Sequence, residues 1–223
     1  GNFGWYAVFD NRSADEPLTA MSYANVVFFH WVQMREGPEG LARFLAAMPG
    51  DGDQIAALRA RVDTAAWTAF TEAYLEGRIT APGGTAVQRP AFFTGDYIVG
   101  DTVDLDVSVA PFVVQRYRVR FEAEKHYDVR ILGAEGAEVR MQDEGGAWSN
   151  LPLVVSTCPD EVTRLAYAVT ADAETSGTIQ FVKEGVEGAG ACCLEGEWKA
   201  TEETLAGLAT LGMEVGGLAI AMA

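Results

Sequence analysis

The feature that most limits what this chain can become is the alternation of apolar and polar residues across 102–182. Val103, Leu105 and Val107 alternate with Asp104, Asp106 and Ser108. Tyr117, Val119 and Phe121 alternate with Arg116, Arg118 and Arg120, and Tyr127, Val129 and Ile131 with His126, Asp128 and Arg130. A period of two sends successive side chains to opposite faces of a strand, one buried and one wet. Repeated with turn residues between the runs, it predicts an antiparallel sandwich or barrel. Further strands are expected at 139–142, 151–157, 162–170 and 178–183. Gly145-Gly146 and the acidic stretch 172–177 are expected as hairpin turns. Loops are expected at 95–101 and 143–148, and these are the places where such a scaffold meets a ligand.

Upstream the period changes. Residues 5–9 read as a short strand or buried anchor, followed by a polar loop. From 18 to 36 the spacing is helical: Met21, Ala24, Val27, Phe28, Trp31 and Val32 share a side, Val26 and Phe29 widen it, and Thr19 or Ser22 stands near the start. His30 is expected to be a core histidine with a local hydrogen bond. Gly37-Pro38 breaks this helix, and Pro38 suits the first turn of the next, whose stripe is Leu41, Phe44, Leu45 and Met48. Asp51 or Asp53 caps a third helix, and Asp63 or Thr64 a fourth that Gly77 closes. The predicted architecture is α+β: a helical subdomain at 1–80, a turn-rich linker at 81–90, an antiparallel β-sandwich at 91–187 and a C-terminal segment at 188–223. That segment holds a short helix capped by Thr201 and an apolar tail.

Three resemblances lie along the chain. Ser22-Tyr23-Ala24, the run Arg35-Glu36-Gly37-Pro38-Glu39-Gly40-Leu41-Ala42-Arg43-Phe44-Leu45 and Trp67-Thr68-Ala69-Phe70 resemble the helical tail of peptidase MA-like (gluzincin) zinc metallopeptidases. In that family these helices form the lobe behind the active site. The His-Glu-x-x-His motif that carries the zinc ligands and the general base is absent, so no catalytic residue carries over, and the resemblance implies a catalytic half upstream of Gly1 or its loss. The runs Arg116-Tyr117-Arg118-Val119-Arg120-Phe121-Glu122-Ala123-Glu124 and His126-Tyr127-Asp128-Val129-Arg130-Ile131 resemble pre-peptidase C-terminal β-sandwiches. Such modules accompany secreted hydrolases, which implies an accessory role. Cys192-Cys193-Leu194-Glu195-Gly196-Glu197-Trp198 resembles the opening of a lipocalin-like barrel, of which only an opening fragment has room here, since a full barrel takes about eight strands.

Charge narrows the function classes. With 32 acidic against 16 basic residues the chain carries −16, which opposes nucleic-acid binding because no basic face is available to displace phosphate counterions. No run reaches the roughly 18 uncharged apolar residues of a membrane helix. Gly1-Asn2-Phe3-Gly4 lacks an initiator methionine and the features of a signal peptide, so the chain is expected to be a processed or excised piece. Asn11-Arg12-Ser13 matches a glycosylation sequon. The three cysteines are expected to form one disulfide, Cys158 with Cys192 or Cys193, which places the protein outside the cytoplasm, secreted or at the cell surface.

Among candidate sites, Asp96, Asp101, Asp104 and Asp106 are the best metal constellation, an oxygen set for calcium. Cross-strand ion pairs with Arg116, Arg118 and Arg120 explain the same residues and are the preferred reading. The arginine row, extended by Arg130 and Arg140, is expected to neutralise its own sheet rather than to bind an anionic glycan. Glu122 with Glu124 and Asp143 with Glu144 fall in turns, where solvated charge is the ordinary role. Ser156, Cys158 and His126 match no nucleophile motif. The chain therefore reads as a non-catalytic, extracytoplasmic binding or structural protein, associating with a protein partner or itself through residues 212–223. The alternatives are the C-terminal portion of a secreted zinc metallopeptidase and a carbohydrate-binding module using aromatics such as Trp148.

Overall fold

The computed structural model describes residues 3–50, 52–143, 146–157 and 160–183, all within one compact unit. Helices come first: α1 (Phe3–Arg12), two 3₁₀ turns (Leu18–Ala20, Ser22–Asn25), α2 (Val26–Ala46), α3 (Gln54–Arg59) and α4 (Thr64–Leu75). Among the described residues nine strands follow: β1 (Gly95–Val99), β2 (Thr102–Val109), β3 (Val114–Phe121), β4 (His126–Gly133), β5 (Glu138–Gln142), β6 (Trp148–Asn150), β7 (Val154–Ser156), β8 (Val162–Val169) and β9 (Thr175–Lys183). They form a five-stranded sheet, β1-β3-β8-β5-β6, and a four-stranded sheet, β2-β9-β4-β7. A helical N-terminal part followed by a β-sandwich is the fold class that the periodicities predict.

Local chemistry accounts for the helix boundaries. Asp53 and Asp63 are the N-caps: their carboxylates accept the amides of Ala56 and Ala66 at 2.9 and 2.7 Å. Gly37, at φ 74°, interrupts α2 just before Pro38, so α2 is two helical pieces joined at a kink. At the end of α4, Gly77 takes φ 69°, its amide bonds Tyr74 O, and the Arg78 amide bonds Ala73 O. That pair of bonds is a Schellman ending, which needs the left-handed conformation a glycine adopts freely.

Three expectations fail here, each for a physical reason. The strand reading of 5–9 fails, although the anchor reading agrees with the burial of Tyr6 and Phe9: the segment is helical and Tyr6, Phe9 and Ser13 bury one face, since a short apolar run does not by itself separate helix from strand. Residues 95–99, expected as loop, form β1, which pairs parallel with β3 from Gly95↔Tyr117 to Val99↔Phe121. The stretch 172–177 is not a hairpin turn: its second half begins β9, and β8 and β9 lie in different sheets.

The five-stranded sheet is covered on both faces. Tyr117, Val119, Phe121, Ala166, Ala168 and Met141 join a core with Leu105, Val129 and Phe181 of the other sheet. Val114, Tyr167 and Val169 point the opposite way, into a core with Phe9, Phe28, Trp67 and Phe70 of the helices. Trp67 stacks on Phe70 at 4.8 Å, and its indole N–H donates to Val113 O at 3.3 Å. Phe112, fully buried at φ 60°, carries the β2–β3 connection into the helical core, where its backbone bonds Leu18 and Thr170.

The helical cover overturns the expected wet arginine row. Arg116 is fully buried, whereas Arg118 is half-buried and Arg120 exposed on that row. The Arg116 guanidinium pairs with the Asp10 carboxylate at 3.0 Å and donates to Asp10 O at 2.5 Å and Ser13 Oγ at 3.1 Å. Asp10 also accepts from Tyr74 Oη and from the Ala91 and Phe92 amides. The Arg116 Nε has no hydrogen-bond partner among the described residues, but both terminal nitrogens are bonded and the charge is paired, as a buried ion requires. Asp10→Ala strands the Arg116 charge and is expected to cost about 3–5 kcal/mol, read as a lowered urea midpoint.

His30 sits in the helical core, only 7% exposed, with Tyr6 Oη 3.4 Å from its Nε2. Burial lowers its pKa below the ordinary 6.5. The unfolded chain therefore binds a proton that the folded one resists. This penalty is absent above pH 6.5 and grows as pH falls towards the lowered folded value. The thermal midpoint is expected to drop on acidification through that window, and His30→Phe is expected to flatten that part of the profile.

Candidate functional site

The helical cover carries an apolar groove on its outside. Trp5 on α1 and Tyr23 in the second 3₁₀ turn stand at its mouth, 44% and 74% exposed. Their rings are 5.7 Å apart and inclined at 51°. Val26 and Phe29 from the first piece of α2 and Leu45 from the second complete a shallow cleft of about 570 Å3. It shares Asn25, Phe29 and Leu45 with a deeper depression of about 180 Å3, lined further by Leu18, Phe44, Met48 and Leu58. Among the described residues no charged side chain lines either part; the polar groups are those of Thr19, Asn25 and Gln54 with the Tyr23 hydroxyl and the Trp5 indole N–H.

Each wall has a local cause. The helical phase of α1 turns Tyr6 and Phe9 inward and leaves Trp5 outside. Ser22 takes φ 50°, a left-handed residue that ends one short turn and starts the next, exposing Tyr23 while Ala24 is buried. The kink at Gly37 turns the second piece of α2, so that Phe44 packs on Phe28 and Phe29 at 5.8 and 6.2 Å and brings Leu45 to the rim. Such a groove can take apolar or aromatic side chains.

The residues singled out in the sequence are dispersed. Asp96 pairs with Arg118 and Arg120, both at 3.3 Å, as the ion-pair reading expects. Asp104 and Asp106 lie in the other sheet, where β2 pairs with β9, so they face Gln180 and Thr178 rather than the arginine row. Asp101 bonds Lys183 at 3.1 Å. Among the described residues no group of three or more acids, histidines or cysteines is placed to hold a metal ion. Arg130 pairs with Asp128, and Arg140 with Glu138 and with Glu72 of α4.

Glu122 lies 3.9 Å from Lys183, Glu124 is a turn residue at φ 56°, and Asp143 accepts the Ala147 amide within the β5–β6 turn. Trp148 is not a free platform: its ring packs edge-on against Tyr167 at 4.9 Å. His126 Nδ1 and Ser156 Oγ do meet, at 2.8 Å, as directly opposed residues of β4 and β7. Cys158, Cys192, Cys193, Glu144, the helix expected after Thr201 and the tail 212–223 lie outside the described residues. No described helix is long and apolar enough to cross a membrane.

The groove was visible in the sequence only in pieces. Phe44, Leu45 and Met48 belong to one predicted stripe, but a strand reading of 5–9 hides the fact that Trp5 faces outward. A helical reading of 5–13, with Tyr6, Phe9 and Ser13 at i, i+3 and i+7, would have exposed it.

No family model matches the chain, and no curated protein matches it. Among solved structures, a mutant of PliG-Ec, a periplasmic lysozyme inhibitor of g-type lysozyme from Escherichia coli, is similar at 12% identity and a TM-score of 0.32, over 40% of this chain and 98% of that one. Salmonella Typhimurium PliG is similar at 8% identity and the same TM-score, over 40% and 99%. Aeromonas hydrophila PliG is similar at 12% identity and 0.32, over 40% and 96%. Likenesses of this size leave the function to the chain's own residues.

Proposed function

We propose that this chain is a non-catalytic, extracytoplasmic binding protein that takes apolar side chains of a protein partner into the Trp5–Tyr23 groove. The observation that carries the reading is a groove with two exposed aromatic rings at its mouth, adjoining a largely apolar depression, with no charged side chain in the lining among the described residues, in a protein of charge −16. Exposed Trp and Tyr beside an apolar depression are the usual makings of a binding hot spot. Association through the tail 212–223 belongs to the same proposal as a second contact.

The test is selection of peptides from a random displayed library on the full chain, beside a glycan array. Selected peptides are expected to carry apolar or aromatic anchors and to bind Trp5→Ser or Tyr23→Ser roughly thirtyfold more weakly, the loss of one hot-spot residue. Both variants are expected to keep the wild-type unfolding free energy to within about 0.5 kcal/mol, as exposed substitutions do. Peptides that bind both variants as tightly as wild type, or glycans that bind where no peptide does, would overturn the reading.

A further inference from the structure

On another side of α1 lies a second, chemically different cleft of about 220 Å3. Tyr6, Ala7 and Ala91 give it apolar surface, and Asn11, Gln88 and Arg89 give it polar groups. Asp10 also lines it, but that carboxylate is saturated: Arg116, Tyr74 Oη and the Ala91 and Phe92 amides all bond it. The acid in the wall is therefore neutralised from behind.

Arg89 differs from most arginines of this protein. Arg12, Arg35, Arg43, Arg78, Arg116, Arg118, Arg120, Arg130 and Arg140 each have a carboxylate partner. Arg89 makes no hydrogen bond or ion pair among the described residues, although acids outnumber bases two to one. Its stem is nevertheless held in place. A Cβ on Gly77 would sit 2.6 Å from Arg89 Cγ and 3.0 Å from its Nε, so the side chain lies across the bare Cα of the glycine that ends α4. A guanidinium at the C-terminus of α4 also answers the helix dipole, but a dipole contact does not require it to line a cleft beside two exposed side-chain amides.

We propose that this cleft binds the carboxylate of a small organic acid. The planar fork of Arg89 accepts a carboxylate through two parallel N–H bonds, and the amide groups of Asn11 and Gln88 supply further donors. Tyr6, Ala7 and Ala91 offer apolar surface to the body of the acid, which an inorganic ion would leave unused. The site is independent of the Trp5–Tyr23 groove, so failure at one leaves the other standing.

Benzoate is the probe, benzamide its uncharged isostere and inorganic phosphate the competing oxyanion, each titrated calorimetrically into the full chain. Benzoate is expected to bind and benzamide not to. Arg89→Ala is expected to weaken benzoate at least about tenfold, as the loss of a charge-assisted bond does. Arg89→Lys is expected to fall between, keeping the charge and losing the fork. Both variants are expected to fold, since Arg89 is exposed, and circular dichroism checks that they do. No benzoate binding, benzoate binding unchanged in Arg89→Ala, or phosphate bound as tightly as benzoate with the same dependence on Arg89 would each overturn the proposal.

Discussion

The pairing of Arg116 with Asp10 is the constraint on which the helical layer depends. Arg116 belongs to β3, but the face from which it projects is covered by helices, so its charge is out of water altogether. An uncompensated guanidinium there would be prohibitive. Compensation comes from α1, whose Asp10 side chain and backbone carbonyl both accept from it, and from Ser13 at the helix end. Asp10 in turn ties down α4 through Tyr74 and the segment before β1 through the amides of Ala91 and Phe92. One buried ion pair thus sets the position of α1 against three other parts of the chain. A well-packed apolar replacement of both partners would be tolerated in energy; what it would lose is the direction that fixed donors and acceptors impose.

That anchoring explains why two clefts border α1. Its inner face, with Tyr6, Phe9 and Asp10, is committed to the core and the ion pair. Residues at other angles around the same helix are then presented to solvent in fixed positions. Trp5 meets Tyr23 on one side, and Ala7 and Asn11 meet Gln88 and Arg89 on another. A helix held by apolar contacts alone would leave its rotation about its own axis less defined, and both surfaces depend on that rotation.

Much of the fold was legible because it follows from periodicity. Alternation in β2, β3 and β4 identifies strands, and Asp53, Asp63, Gly37 and Gly77 mark helix ends by their own local chemistry. What alternation conceals is the second face. An arginine at every other position looks the same whether water or a helix layer lies above it. The trace of the cover is in β8, where Ala166, Tyr167, Ala168 and Val169 are all buried, as in a strand enclosed on both sides. Read beside that run, Arg116 becomes the residue in need of a partner, and β1 was missed because it gains its place only by pairing parallel with β3.

The same reasoning separates the candidate sites. The strand acids were attractive because of their spacing along the chain, yet spacing along one strand says nothing about which strand lies opposite. Once β2 pairs with β9, Asp104 and Asp106 meet neutral side chains, while Asp96, on a strand read as loop, meets the arginines. Strand neighbours are long-range facts, set by topology. The Trp5–Tyr23 groove and the Arg89 cleft are likewise assembled from segments distant in sequence, and in each the deciding residue is the one that the core leaves unused. In a chain where most arginines are answered by a carboxylate and most aromatics by the core, the exceptions carry the information about binding.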